Sequence, residues 1–345
     1  MTKDSPCAVK IPHVTALLVM LALTGSSTRG QTPEQPSQDQ ASAVLWSDPT
    51  DIASRDLFYG PGGERHSPQG TKFHFMKEDL RGTNAKLVVL DDAGTKWKVK
   101  MGAEAQSETA ASRIVWAVGY FTDEDYYLPS FCVDGVPPKL YRAQKYLSAD
   151  GCVQGARFER QEKDEANAGE WTWRQNPFTG TSELNGLRVL MAVINNWDLK
   201  DTNNHIRIEK NSVGNAIKEF LIGDLGVAFG MAHLTRGHEI TRGNLEAYRQ
   251  SPFIRKTTEC CVDFAVPGRP APIVLVNPKE YHSRLGLEWI GEDIPREDAK
   301  WMGALLGRLS ATQIRDAFRA AGYSKEDADA FASVLEKRIA ALREL

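Results

Sequence analysis

The feature that most constrains this fold is an apolar helical stripe that leads into a polar loop. The stripe has helical spacing and consists of Leu184, Leu187, Leu190, Met191 and Ile194. The loop Asp198–Asn203 follows with the sequence Asp-Leu-Lys-Asp-Thr-Asn. A helix with such a stripe packs against a core, so the loop at its end is held in place. The sequence therefore predicts a rigid loop that presents carboxylate, ammonium and amide groups.

A second polar turn follows a strand further along the chain. Two strand candidates, His205–Glu209 and Lys218–Ile222, flank a turn at Val213-Gly214-Asn215. The second strand continues into Gly223-Asp224-Leu225-Gly226. We expect this turn to present the Asp224 carboxylate at the end of the strand.

The region before this helix favours strands. The runs Lys86–Leu90 and Lys96–Met101 flank the turn Asp91–Gly94 and predict a hairpin. Alternation places Trp97, Val99 and Met101 on one face of the second strand, with Lys98 and Lys100 on the other. A helix is predicted over Glu104–Tyr120. Further strands are expected around Tyr127–Val133 and Gly155–Glu159, and the polar stretch Gln161–Gly169 predicts a loop.

The C-terminal region favours helices over Lys300–Leu309, Ala311–Ala321 and Lys325–Leu342. Ser310 and Ser324 precede the last two and are candidate N-caps. A strand-rich first part thus precedes a helix-rich second part. The sequence predicts an α+β fold.

The N-terminus has the order of an export signal. Lysines precede the apolar run Val14–Leu23, and small residues follow it. We expect a signal peptide over residues 1–30, a disordered polar tether over 31–60, and a secreted or periplasmic protein. An uncleaved N-terminal membrane anchor is the alternative, although the run is shorter than the about 20 apolar residues that a span needs.

Composition narrows the class of protein. The 345 residues are 41% hydrophobic and 25% charged, with a net charge of -3, which favours a packed globular chain and provides no basic field for nucleic acid. An oxidising compartment permits a bridge between Cys132 and Cys152, and buried thiols are the alternative. Cys260 and Cys261 lack the spacing of a zinc site.

The chain order of these polar residues resembles that of the protein-kinase-like fold. The order is Lys100 on a strand, Glu108 on the next helix, Asp-x-Lys-x-x-Asn at 198–203, and Asp-Leu-Gly at 224–226. Asn196 and Trp197 replace the usual His-Arg pair, and no Gly-x-Gly-x-x-Gly occurs. The best phosphate-loop candidate is Arg81–Asn84. With these departures from ordinary protein kinases, the chain resembles the atypical kinases: phosphatidylinositol kinases, bacterial toxin kinases, and secreted casein and spore-coat kinases.

The resemblance implies a bilobal fold, with a small strand-rich lobe over 61–170 and a larger helical lobe over 171–345. It implies ATP and Mg²⁺ as cofactors and transfer of the γ-phosphate to a hydroxyl acceptor of unknown identity: a protein, a lipid headgroup or a small molecule. The implied roles are catalysis for Asp198 and Lys200, nucleotide binding for Lys100 and Glu108, and Mg²⁺ binding for Asn203 and Asp224.

Two other functions stay open at this point. One is a catalytically inactive kinase-like binding or scaffold protein of the cell envelope, and the other is transfer of a nucleotidyl group on the same fold. Each candidate residue also has a structural interpretation as a turn, cap or surface residue.

Overall fold

The computed structural model describes residues 41–161, 166–210, 214–231, 241–266, 278 and 286–345. The expected signal peptide over 1–30, the first part of the expected tether and Val213 of the expected turn lie outside these residues. Within the described ranges, no helix is long and apolar enough to cross a membrane.

The described residues form strands mainly in the first two thirds of the chain and helices mainly at its end. The strands are β1 (Ser42–Val44), β2 (Lys72–Glu78), β3 (Lys86–Leu90), β4 (Lys96–Met101), β5 (Asp125–Asp134), β6 (Cys152–Gln161), β7 (Ala166–Glu170), β8 (Asn204–Lys210), β9 (Ala216–Ile222), β10 (Ile254–Thr257), β11 (Cys261–Phe264) and β12 (Ile294–Pro295). The helices are α1 (Glu104–Ala117), α2 (Ser182–Val193), α3 (Leu245–Gln250), α4 (Arg296–Leu306), α5 (Ala311–Ala320) and α6 (Lys325–Arg343). The predicted α+β fold class is confirmed.

Five strands close into a barrel in the order β2-β3-β4-β6-β5. The predicted hairpin is confirmed as β3 and β4, which pair antiparallel. Trp97, Val99 and Met101 point into the apolar interior of the barrel, as the alternation predicts, because a strand places successive side chains on opposite faces. Lys98 and Lys100 therefore face outward from the barrel.

A disulfide joins two neighbouring strands of the barrel. Cys132 of β5 and Cys152 of β6 are direct partners in the strand register and form a disulfide bond. Of the two states that the sequence left open for these cysteines, the structure has the bridge.

The helix α1 follows the barrel hairpin and is buried along almost its whole length. It packs against the barrel strands β5 and β6 and against α5. Because α1 is buried between these elements, polar side chains on its first turns are enclosed rather than solvated. The charged residues Glu104 and Glu108 of α1 are therefore buried.

A second sheet has the strand order β1-β9-β8-β7. Residues 41–60 were expected to belong to a disordered tether, but β1 pairs with β9, and Ile52 and Leu57 are buried in the main core. The prediction of a loop over Gln161–Gly169 is likewise wrong at both of its ends, because Gln161 ends β6 and Ala166–Gly169 lie in β7, which pairs with β8; residues 162–165 lie outside the described residues. In both places the neighbouring strand supplies the backbone hydrogen bonds, so a polar composition does not prevent a strand.

The C-terminal helices agree with the prediction apart from their ends. Ser310 and Ser324 are N-caps whose side chains accept hydrogen bonds from the backbone of Gln313 and Asp327. The helix predicted from Lys300 begins earlier, at Arg296.

The described residues contain two large apolar cores. One fills the barrel, and the other unites α1, α2 and the C-terminal helices with the second sheet. The second sheet pairs β7, which belongs to the predicted first lobe, with β8, which belongs to the predicted second lobe. The bilobal arrangement and its boundary at residue 170 stay predictions.

Candidate active site

Lys100 is the centre of a cluster of charged residues outside the barrel. Its Nζ lies 2.9 Å from Oε2 of Glu108, 2.8 Å from Oε2 of Glu104 and 2.6 Å from Oδ1 of Asp224. The side chain of Lys100 is only 6% exposed. The structure thus joins three residues that the sequence singled out, Lys100, Glu108 and Asp224, and adds Glu104 to them.

Electrostatics keep the members of this cluster charged to different degrees. Burial opposes the charged form of Lys100, but the carboxylates of Glu108, Asp224 and Glu104 outweigh it and raise the pKa of Lys100. Burial also opposes the ionised form of Asp224, yet the Lys100 ammonium lowers the pKa of that carboxyl group overall. For Glu108, burial prevails and raises the pKa. Lys100 and Asp224 are therefore a firmly ionised pair at neutral pH.

Asp224 is placed by a tight turn that follows β9 and packs against α1. Its backbone is left-handed, with φ 48° and ψ 50°, a conformation that Asp tolerates better than most residues. Two residues later, the carbonyl of Gly226 accepts a hydrogen bond from Ser107 of α1. A Cβ atom on Gly226 would lie 2.7 Å from Cβ of Glu104, so glycine is needed for this close approach. The turn therefore ties Asp224 to the helix that carries Glu104 and Glu108.

The loop after α2 is held by its own polar side chains. The Asn203 amide donates to the backbone carbonyl of Asp198 at 2.7 Å, and the Asn196 side chain accepts from the backbone N–H of Asp198 at 3.2 Å. The carboxylate of Asp201 accepts from the backbone of Trp173 at 2.9 Å. Because the Nδ2 of Asn203 is used as a donor, its Oδ1 is the acceptor available to a cation. Asp201 has a structural role.

Lys200 lies beside the Asp198 carboxylate, with Nζ 3.4 Å from Oδ1. The Asp198 side chain is 15% exposed and that of Lys200 is 37% exposed. A partly buried acid thus adjoins a more accessible cation in the first half of the loop.

All of the residues predicted for the site line one cavity of about 770 Å³, together with the loop Arg81–Asn84. The predicted set is Lys100, Glu108, Asp198, Lys200, Asn203 and Asp224. The loop connects β2 and β3, and Asn84 donates to Oε2 of Glu104 at 2.6 Å. Segments far apart in the chain therefore meet around a single hollow.

The acidic side of the cavity has the donor chemistry of a divalent-cation site. One carboxylate oxygen from each of Glu104, Glu108 and Asp224 lies within 4.8 Å of the others, and Glu108, Asp224 and Asn203 line the cavity. Carboxylate and amide oxygens are the ligands that Mg²⁺ and Mn²⁺ prefer. These residues fit a Mg²⁺ or Mn²⁺ ion.

Sequence reasoning missed a buried charge network behind Glu108. Arg157 of β6 contacts Asp125, lies 2.7 Å from Oε2 of Glu159, and places Nη1 3.4 Å from Oε1 of Glu108. Lys98 reaches Oε1 of Glu159 at 2.6 Å. The alternation of charged and apolar residues over Ala156–Glu159 was a signal for one polar face of β6. Which partners that face meets depends on the barrel.

Glu104 is the other residue that the sequence did not reveal as a site member. It is on the first turn of α1 and is 7% exposed. Besides Lys100 and Asn84, it contacts Arg242, which follows the Asp224 turn in the chain. Glu104 therefore joins the candidate phosphate loop, the central lysine and a later segment of the chain.

Comparison with known proteins finds resemblance only among solved structures. No protein-family model matches the chain, and no curated protein does. The structure of the Helicobacter pylori proinflammatory kinase CtkA matches with a TM-score of 0.42 and 11% identity, over 80% of this chain and 98% of that one. A Golgi casein kinase matches with a TM-score of 0.34 and 10% identity, over 82% of this chain and 75% of the other.

The Golgi casein kinase with Mn and ADP bound also matches, with a TM-score of 0.32 and 12% identity, over 81% of this chain and 73% of that one. All three structures are of kinases, and all three TM-scores are below 0.5. The functional interpretation therefore depends on the geometry of the site.

Proposed function

We propose that this protein is an atypical kinase that transfers the γ-phosphate of ATP to a hydroxyl acceptor with the help of Mg²⁺ or Mn²⁺. The observation that carries the proposal is the meeting of Lys100, Glu108 and Asp224 within hydrogen-bond distance, in the cavity that Asp198 and Asn203 also line. Phosphoryl transfer needs a cation on the phosphates, oxygen ligands for a metal, and a carboxylate at the acceptor. This cavity contains a candidate for each.

The first requirement is to hold the triphosphate. Lys100 binds phosphate oxygens, and Glu108 keeps its ammonium aimed into the cavity from a position that is 4% exposed. Asp224 and Asn203 would hold the divalent cation, Asp224 through its carboxylate and Asn203 through its amide oxygen. When bound, the cation neutralises charge on the phosphate oxygens.

The second requirement is to prepare the acceptor. The side chains of Asn196 and Asn203 hold the backbone N–H and carbonyl of Asp198 by hydrogen bonds. Asp198 orients the acceptor hydroxyl and accepts its proton. Lys200 adds positive charge beside the transferred group. The acceptor is defined here only by its hydroxyl: a protein, lipid headgroup or small molecule satisfies this chemistry.

We also propose that the kinase acts outside the cytoplasm. The disulfide between Cys132 and Cys152 supports this location, since such bonds persist in oxidising compartments. The expected signal peptide over 1–30 supports it independently.

The direct test uses the whole chain and γ-labelled ATP with Mg²⁺ or Mn²⁺. We expect label on the protein itself or released as phosphate, because water can replace the acceptor. The variant Asp224→Ala and addition of EDTA should each abolish this signal, whereas Asp150→Ala, an exposed aspartate outside the cavity, should keep it.

Three results contradict the proposal. ATP binding without transfer under any metal favours the inactive binding protein. Label transferred from α-labelled rather than γ-labelled ATP favours nucleotidyl transfer. If the chain neither binds ATP nor transfers phosphate from it, the cavity is not a nucleotide site.

A further inference from the structure

Lys86 lies beside Lys100 on the outer wall of the barrel. The two residues are direct partners in the register of β3 and β4. Their side chains therefore leave the same face of the sheet, with Cβ atoms about 4.5–5.5 Å apart. Both residues line the cavity. Two cations placed in this way repel each other unless anions compensate them.

The carboxylates of the site compensate Lys100 but not Lys86. An ammonium group has three donor hydrogens, and Lys100 contacts the three carboxylates of Glu104, Glu108 and Asp224. Lys86 forms no salt bridge with any residue in the part of the chain that the structure describes. Lys100 thus donates hydrogen bonds to Glu108 and Asp224 and has its charge compensated by three carboxylates, whereas Lys86 has no described carboxylate at salt-bridge distance.

The surroundings of Lys86 favour an anion. Lys86 is half-buried, and burial together with the nearby charges of Lys98 and Lys100 lowers its pKa despite the opposing influence of Asp79. A ligand with negative charge would stabilise the charged form of Lys86 against both desolvation and the repulsion of the neighbouring lysines. Since Lys86 lines the cavity, such a ligand can reach it there.

The candidate phosphate loop lies next to the Lys86 ammonium. A Cβ atom on Gly82 would lie 3.6 Å from Nζ of Lys86, so the lysine reaches the backbone of the loop Arg81–Asn84. Gly82 has a left-handed φ of 65°, a conformation that glycine adopts without steric cost. The loop, Lys86 and Lys100 therefore border the same part of the cavity.

We propose that Lys86 is a phosphate-binding residue of this site and contacts the phosphate chain of the nucleotide together with Lys100. The inference deepens the proposed kinase function and rests on it. Lys100 is the cation that holds the carboxylates of α1 and Asp224 in place. Lys86 supplies positive charge that no described carboxylate neutralises at salt-bridge distance.

The test compares ligands with and without phosphate groups on the full chain. Calorimetry with Mg²⁺ measures the Kd of ADP, adenosine and inorganic tripolyphosphate for the wild type, Lys86→Gln and Lys86→Arg. The matched control is Lys77→Gln, an exposed lysine on the neighbouring strand that does not line the cavity. Thermal unfolding verifies that each variant folds.

We expect Lys86→Gln to weaken ADP and tripolyphosphate binding by about tenfold or more, the size of one charge-assisted contact. The adenosine Kd should stay the same, Lys86→Arg should retain most of the ADP affinity, and Lys77→Gln should resemble the wild type. An unchanged ADP Kd in Lys86→Gln overturns the inference, and so does an equal loss of ADP and adenosine affinity.

Failure of the kinase proposal has a different signature. If the wild type binds tripolyphosphate through Lys86 but binds no nucleotide, the phosphate-binding role of Lys86 stands and the nucleotide site is wrong. If the wild type binds neither tripolyphosphate nor nucleotide, both proposals are overturned.

Discussion

Lys100 and Arg157 are direct partners on β4 and β6, and both contact the carboxylate of Glu108. Lys100 approaches Oε2 at 2.9 Å, and Arg157 approaches Oε1 at 3.4 Å. Two buried cations on adjacent strands thus share one buried acid. The geometry of the candidate active site therefore depends on the charge network on the outer face of the barrel as well as on the cavity.

Removal of Arg157 should destabilise the fold strongly. Arg157→Met leaves the carboxylates of Asp125, Glu108 and Glu159 without their common cation, and breaking a buried ion pair in this way costs about 3–5 kcal/mol. Urea unfolding at pH 8, above the raised pKa of Asp125, measures the free energy of unfolding. As a control, Lys98→Met removes one partly exposed partner of Glu159 and should cost about 1 kcal/mol or less. Equal stabilities of the two variants would contradict the network.

Asp198 and Asp224 should have different functions, Asp198 in catalysis and Asp224 in metal-dependent nucleotide binding. Asp198→Asn preserves the size of the side chain and should leave the ADP Kd within about twofold, while phosphate release from ATP falls by about 100-fold or more. Asp224→Asn should instead weaken Mg²⁺-dependent ADP binding, because Asp224 is a candidate metal ligand. Calorimetry and a phosphate-release assay give the two readings. Phosphate release by Asp198→Asn at the wild-type rate would exclude Asp198 as the base.

The disulfide should make a measurable contribution to stability. Cys132 and Cys152 are 20 residues apart, and a bridge of this span restricts the unfolded chain by about 3 kcal/mol. The double variant Cys132→Ser/Cys152→Ser should lose this amount in urea unfolding and should no longer respond to reductant. Cys260→Ser should keep the wild-type response. An equal response of wild type and double variant to reductant would assign the effect to other thiols.

The barrel network should also produce a pH dependence of stability. Burial raises the pKa of Asp125 to about 7, against an ordinary value of 3.8, although Arg157 opposes this shift. Between these two pH values the folded chain holds a proton that the unfolded chain has released. The free energy of unfolding should therefore fall as pH rises from about 4 to 7.

The variant Asp125→Asn isolates this contribution. The difference in unfolding free energy between wild type and Asp125→Asn should change across that pH window by up to about 4 kcal/mol. Denaturant unfolding at several pH values measures it. A difference that stays constant from pH 4 to pH 7 would show that Asp125 is ionised throughout.

Several elements were predictable because local rules determine them. The hairpin of β3 and β4 has the predicted bounds, since its alternation and turn residues are contained in a short segment. The caps at Ser310 and Ser324 are likewise local. The strands β1 and β7 were not predicted, because their stability comes from hydrogen bonds to β9 and β8, which no local pattern contains.

The residues of the candidate site are likewise of two kinds, those that the sequence predicted and those that only the folded chain reveals. The types and chain order of Lys100, Glu108, Asp198, Asn203 and Asp224 were enough to select them as candidates. Glu104 and Arg157 were not selected, because a charged residue on a first helical turn or a strand is usually solvated. Their burial shows only in the folded chain, where α1 and β6 pack together.

The sequence by itself determined the local elements, the barrel-facing pattern of β4 and the identity of the polar residues, because these depend on the periodicity and chemistry of neighbouring residues. Only the tertiary structure decided which charges meet. Lys100 and Asp224 are 124 residues apart, and Arg157 reaches Glu108 across two different elements. Such contacts depend on the closure of the barrel and on the packing of α1, and therefore on the whole chain.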